Sequence, residues 1–163
     1  MKTLIMATGL ALLAPTALMA QEEKAAEAKA EAKKADVEVV VTGNDQMQYD
    51  KKEFTVTEGE TVALTFKNIG KLPKIAMGHN LVILEPGTNS MQFAMAGMAN
   101  KDTTGLPDDE EKLKAVVAAT KILGPDEEET VTFTAPAPGK YEYVCTFPGH
   151  AAVMKGVMTV EAK

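Results

Sequence analysis

The sequence predicts an all-β domain, a Greek-key β-sandwich or barrel of seven to eight strands with a partly helical flap around residues 88–121. Three observations carry this expectation. Short runs rich in β-branched and aromatic residues recur along the chain, turn residues punctuate them, and one internal stretch abandons the two-residue period.

The elements follow in order. "VEVVVTG" (37–43) and "EFTVTE" (53–58) are β-branched runs. "TVALTFKN" (61–68) alternates Val62, Leu64 and Phe66 with Thr and Lys, the pattern of a strand buried on one face. "HNLVILE" (79–85) is nearly continuous in apolar residues, as expected of a strand covered on both faces. "ETVTFT" (129–134), "KYEYVC" (140–145) and "KGVMTVEA" (155–162) complete the set. "TEGE", "NIGKLP", "EPGTNS", "GPDEE" and "APAPGK" supply the turns between them. In the exceptional stretch, "SMQFAMAGMAN" reads as a short helix with Met91, Met95 and Met98 on one side. "PDDEEKLKA" places proline and acids ahead of lysines, a helix start matched to the macrodipole, and "VVAATKIL" fits either a helix end or a strand.

Two segments precede this domain. Residues 1–20, "MKTLIMATGLALLAPTALMA", carry one charge at Lys2, then an apolar run, then small residues. That is the layout of a secretory signal, and its apolar core is too short to span a bilayer. Cleavage after Ala20 is expected, with no stable membrane insertion afterwards and no cysteine there to take a lipid. Residues 21–36, "QEEKAAEAKAEAKKAD", have no apolar stripe to bury and are expected to be a solvated, flexible tether. Residues 37–163 suit one domain with its own core.

Charge narrows the function classes. Without Lys2, sixteen lysines and no arginine face twenty-three Asp and Glu, a net charge of −7. Such a chain is a poor binder of nucleic acid, which requires phosphate neutralisation. The one cysteine cannot close an internal disulfide, and an exported thiol is exposed to oxidation, so it needs burial or a metal.

That cysteine stands in "CTFPGHAAVM" (145–154), with one of the two histidines. Cys145 ends a strand, "TFPG" makes a turn, and His150 and Met154 follow before the last strand. A strand-end loop can fold thiolate, imidazole and thioether toward one point. This donor set suits copper, which must be stable in two oxidation states, and a trigonal His₂Cys set with a weak methionine needs a second imidazole. The chain has one left, His79 in "MGHN". Other readings exist. Cys and His could be a buried thiol beside a surface imidazole, a nucleophile with its base, or part of a zinc site completed by water. None of these uses the methionine, whereas copper electron transfer uses all four residues.

"GNDQMQYD" (43–50), "LPKIAMGHNLV" (72–82), "TKILGPDEEETVTFT" (120–134) and "YVCTFPGHAAVMKGVMTV" (143–160) resemble the blue-copper proteins of the cupredoxin family, of the azurin type. The resemblance spans nearly all of 37–163 and implies a cupredoxin-like sandwich. It also implies a periplasmic one-electron carrier with one copper and no enzymatic activity. His79, Cys145 and His150 would be the strong ligands, Met154 the axial ligand and the Gly78 carbonyl a second weak contact. Asn80 and Thr146 would tie the ligand loops together and donate toward the sulfur. The implied partners are transient redox proteins such as c-type cytochromes or a copper reductase, and the protein would be a monomer. An apolar contact patch is expected around a surface edge of His150, from Leu72, Met77, Phe147, Pro148, Ala151 and Ala152, rimmed by Lys71, Lys74 and Lys155.

The sequence also departs from that pattern. Both cysteines of the azurin disulfide are missing, Leu81 stands where azurins carry a core tryptophan, and Asn68 matches a pH-sensing histidine of some azurins. The alternative function is copper binding and trafficking, helped by the ten methionines. The stripe of Met91, Met95 and Met98 admits a second copper site or flexible core packing, and core packing is the expectation.

Overall fold

The computed structural model describes residues 34–98 and 104–163. The expected leader and most of the expected tether lie outside the described residues. Among the described residues no helix is long and apolar enough to cross a membrane.

Among the described residues nine strands form two sheets. The first contains β1 (Val37–Asn44), β2 (Gln48–Tyr49), β4 (Thr61–Asn68) and β7 (Glu128–Thr134), in the order β2-β1-β4-β7. The second contains β3 (Glu53–Thr57), β5 (Val82–Leu84), β6 (Val116–Ala119), β8 (Gly139–Val144) and β9 (Lys155–Glu161), in the order β3-β9-β8-β5-β6. The chain crosses between the sheets repeatedly. β1–β4 and β3–β9 pair in parallel, and the other pairs are antiparallel. The sheets stay open at their edges, so of the two expected architectures the sandwich is the one adopted. The strand count exceeds the expectation because two-residue β2 and four-residue β6 give little periodicity to read.

Alternation fixes which faces meet. Val39 and Val41 of β1 and Val62, Leu64 and Phe66 of β4 point inward from one sheet. They pack on Ile83, Tyr141, Tyr143, Met158 and Val160 of the other. Tyr49 meets Phe66 edge-on at 5.8 Å and Tyr143 at 5.4 Å between ring centroids, filling the centre of this core. Leu81, in place of an indole, is fully buried in the same cluster.

The expected flap is shorter than 88–121. Besides α1 (Lys74–Met77), helices occupy α2 (Ser90–Gly97) and α3 (Glu110–Leu113). The Asn89 side chain caps α2 by accepting the Gln92 N–H at 3.0 Å, and Asp109 caps α3. Val116–Ala119 then joins β5 as an edge strand, which resolves "VVAATKIL" in favour of β structure and ends the flap before 116. Phe93 and Ala94 of α2 pack on Val82, Leu84 and Val144, which buries the second face of β5. Met91, Met95 and Met98 are exposed, contrary to the expected core packing. The two residues that face the sheet, Phe93 and Ala94, leave the methionines on the outer side.

Candidate metal centre

The register of β5 and β8 builds the site. Val82 pairs with Val144 in antiparallel sense, so the same register sets Leu81 against Cys145 and Asn80 against Thr146. The side chains confirm that pairing. The Thr146 N–H donates to Asn80 Oδ1 at 2.8 Å, and Asn80 Nδ2 donates to Thr146 Oγ1 at 2.8 Å and to the Thr104 carbonyl at 3.0 Å. Tyr49 OH donates to the Asn80 carbonyl at 2.6 Å from the opposite sheet. His79 is held by its backbone, which exchanges two hydrogen bonds with Leu123, at 3.1 and 2.7 Å.

The loop 145–154 is closed at its neck. The Cys145 N–H donates to the Met154 carbonyl at 3.0 Å. Inside the loop, the His150 N–H donates to the Phe147 carbonyl at 3.0 Å. The His150 carbonyl accepts from Val153 and Met154 at 3.0 and 2.8 Å. Gly149, at φ +85°, turns the chain in the left-handed region where a side chain would be strained. These bonds return His150 to the strand end that carries Cys145.

Three donor atoms converge as a result. His79 Nδ1 and His150 Nδ1 are 3.1 Å apart, and Cys145 Sγ lies 3.9 Å from the first and 3.6 Å from the second. Imidazole and thiolate ligands with bonds of ~2.0 and ~2.3 Å, arranged trigonally about one ion, would stand roughly 3.5 to 3.7 Å apart. The observed triangle fits a single ion. All three residues are buried, and the donor chemistry, two imidazoles with a thiolate, fits copper.

Burial sets the protonation states. It pushes the Cys145 thiol up to about 11, while the backbone N–H groups of Asn80 and Phe147 favour the thiolate. It lowers His150 to about 4, with the neighbouring His79 acting in the same sense. His79 is also lowered by burial, opposed by the backbone of Asn44 and the charge of Asp45. At neutral pH both imidazoles are therefore ready to ligate, and the thiol proton must leave when a metal binds.

The fold brings His79, Cys145 and His150 together and ties Asn80 to Thr146, while Met154 bonds Cys145 at the neck of the loop and Gly78 precedes His79. Met154 is fully buried at the end of the loop, and a Cβ at Gly43 would come within 2.8 Å of its methyl group. Gly78 precedes His79, and a Cβ there would meet Ile122 Cγ2 at 2.6 Å and the Lys74 carbonyl at 2.7 Å. Thr146 serves the link to Asn80, and the N–H groups that act on the sulfur are those of Asn80 and Phe147.

The surface around the loop is less open than expected. His150 exposes only 4 % of its surface and stacks on Phe147 at 4.7 Å, and Ala151 is buried under α2. Leu72, Pro148 and Ala152 are exposed, while Met77 and Phe147 are half-buried. Lys74 and Lys155 pair with Glu127 and Glu142. Sequence reasoning missed Gly43, Tyr49, Thr104 and Gly105, which adjoin the site only through tertiary contact. A Cβ on Gly105 would stand 2.6 Å from Thr146 Oγ1, and its φ of 71° lies in the left-handed region that favours glycine.

Residues 35–161 match the family of copper binding proteins of the plastocyanin/azurin type. The chain is 42 % identical over 130 residues to azurin-1 of Alcaligenes xylosoxydans xylosoxydans, covering 76 % of this chain and 97 % of that protein. It is 39 % identical over 132 residues to the azurin of Bordetella pertussis, covering 76 % and 83 %. Among solved structures, the dithionite-reduced auracyanin of Roseiflexus castenholzii superposes with a TM-score of 0.69 at 41 % identity, covering 78 % of this chain and 98 % of that one.

Proposed function

Because this chain belongs to the plastocyanin/azurin family of copper-binding proteins, we propose that it is an exported, periplasmic one-electron carrier with one type 1 copper centre. The observation that carries the reading is the buried triangle of Cys145 Sγ, His79 Nδ1 and His150 Nδ1. Copper, when bound, supplies a one-electron couple between Cu(I) and Cu(II). His79, Cys145 and His150 would hold it, with Met154 offering a thioether from the same loop and Gly78 its backbone carbonyl.

The protein's share is rigidity and seclusion. The Asn80–Thr146 clamp, the His79–Leu123 bonds and the Cys145–Met154 neck keep the donors in place, so a change of charge at the centre meets little structural change. The Asn80 and Phe147 N–H groups face the sulfur and stabilise its anionic form. Burial of all three donors leaves no open position for a substrate, which favours a carrier over a thiol enzyme or a catalytic zinc site.

His150, under Phe147 in the loop, is the electron port, and exposed Leu72, Pro148 and Ala152 form apolar contact surface beside it. A small interface of this kind suits partners that dock weakly and leave quickly, such as c-type cytochromes or a copper reductase, with the carrier itself a monomer. Copper trafficking is the second reading. The closed neck and buried donors favour retention of the ion over its exchange.

The visible spectrum of the copper-loaded protein tests the centre. An intense thiolate-to-Cu(II) charge-transfer band is expected, lost in Cys145→Ser and kept in Met154→Leu with a shifted potential. A Cys145→Ser protein that stayed blue would overturn the assignment.

A further inference from the structure

The methionines of α2 and of its C-cap, Met98, do not behave as packing residues. Met91, Met95 and Met98 keep 41, 62 and 51 % of their surface exposed, while Phe93 and Ala94 of the same helix are buried. With 3.6 residues per turn, positions 91, 95 and 98 fall within about 60° of one another around the axis, so the three side chains leave one face. With Ala94 they line a recess of about 220 Å³ whose other wall is Phe147, Gly149 and Ala151 of the His150 loop. Among the described residues no charged side chain lines it.

Exposed methionines gain little from removal of apolar surface, so packing does not account for three of them in one recess. Their chemistry does. A thioether is a soft, neutral donor that suits Cu(I) and is a poor ligand for harder divalent ions. Methionine is unbranched with three rotatable bonds, so three neighbours on one helix face can turn their sulfurs to a common point. The described lining carries no charge that would repel a monovalent cation.

We propose that Met91, Met95 and Met98 form a second, Cu(I)-selective site, held by three thioethers and abutting the loop of the buried centre. This site requires only α2 and the recess, and it stands whether or not the centre transfers electrons.

Stoichiometry tests it. The full chain, with copper at its centre and reduced under anaerobic conditions, is titrated with Cu(I) against a chromophoric Cu(I) chelator. Wild type is expected to hold two Cu(I) ions and the Met91→Leu/Met95→Leu/Met98→Leu variant one. These replacements nearly conserve volume, and on reoxidation the variant should keep the wild-type visible spectrum, which shows that it is folded. The same loss of one ion on adding the leucines is expected in a Cys145→Ser background, so failure of the centre and failure of this site are read separately. In methionine-methyl NMR, Ag(I) as a redox-inert stand-in should move three methyl resonances that the leucine variant lacks, and Zn(II) should move none. Saturation of wild type at one ion, or a second ion that persists in the leucine variant, overturns the proposal. The first result would leave the recess as apolar surface only.

Discussion

Gly43 shows how a single residue can govern the centre without touching a donor atom. It lies in β1, and an added Cβ would come within 2.8 Å of the Met154 methyl and 2.9 Å of Phe66 Cζ. Phe66 is fully buried and cannot withdraw, so Met154 would have to move. Gly43→Ala is therefore expected to cost about 1–3 kcal/mol through overpacking. It should also shift the reduction potential while leaving the thiolate band in place. Thermal unfolding and a potentiometric titration check both parts, and a potential equal to wild type would show that Met154 does not tune the metal. Cys145 is the complementary case. Burial alone would hold it as a thiol, and the ion it is placed to bind is what makes it a thiolate.

At the scale of elements, the loop 145–154 forces two imidazoles together in a dry place. His150 and His79 have ring centroids 4.9 Å apart, and both have pKa values lowered from 6.5, His150 to about 4. The folded chain therefore resists protonation that the unfolded chain accepts. For a histidine depressed in this way, stability is complete above the unfolded pKa. It falls as pH drops below 6.5 and levels off once the folded groups also titrate, for His150 near 4. The copper-free protein should accordingly lose thermal stability between about pH 6.5 and pH 4. A melting temperature flat across that window would mean that the rings are not desolvated in solution. In the loaded protein, protons compete with copper for the same nitrogens, so the metal should be released in the same direction of pH.

The whole molecule has two histidines, and both stand at the centre. Asn68, at the position of a titrating residue in some azurins, is buried and bonded through Nδ2 to the Leu123 carbonyl and through Oδ1 to the Gly70 N–H. It cannot change charge. The reduction potential is thus expected to vary little between ~pH 6 and ~pH 8, the range in which unperturbed histidine titrates. Measured potentials approaching a slope of ~59 mV per pH unit would reveal a coupled proton that this arrangement does not contain. The only cysteine is committed to the centre, so no disulfide braces the sandwich. Its stability rests on the two-sheet core and the aromatic cluster of Tyr49, Phe66 and Tyr143.

Much of this was legible in the chain by itself. Alternating residues in β4 and the unbroken apolar run before Glu85 specify strands and faces, because side-chain direction follows a two-residue period. A thiol, two imidazoles and a thioether in a chain so poor in Cys and His limit the metal, because donor softness belongs to the residue type and needs no fold. Tertiary structure decided the rest. Gly43, Tyr49, Thr104 and Gly105 reach the site from other strands and loops, and no local pattern announces them. The depressed imidazoles and raised thiol come from burial, which is a property of the assembled sheets. The side of α2 that meets water was settled in the same way. Its helical spacing is equally compatible with methionines inside or outside, and the contact of Phe93 and Ala94 with Val82 and Val144 turned them outward.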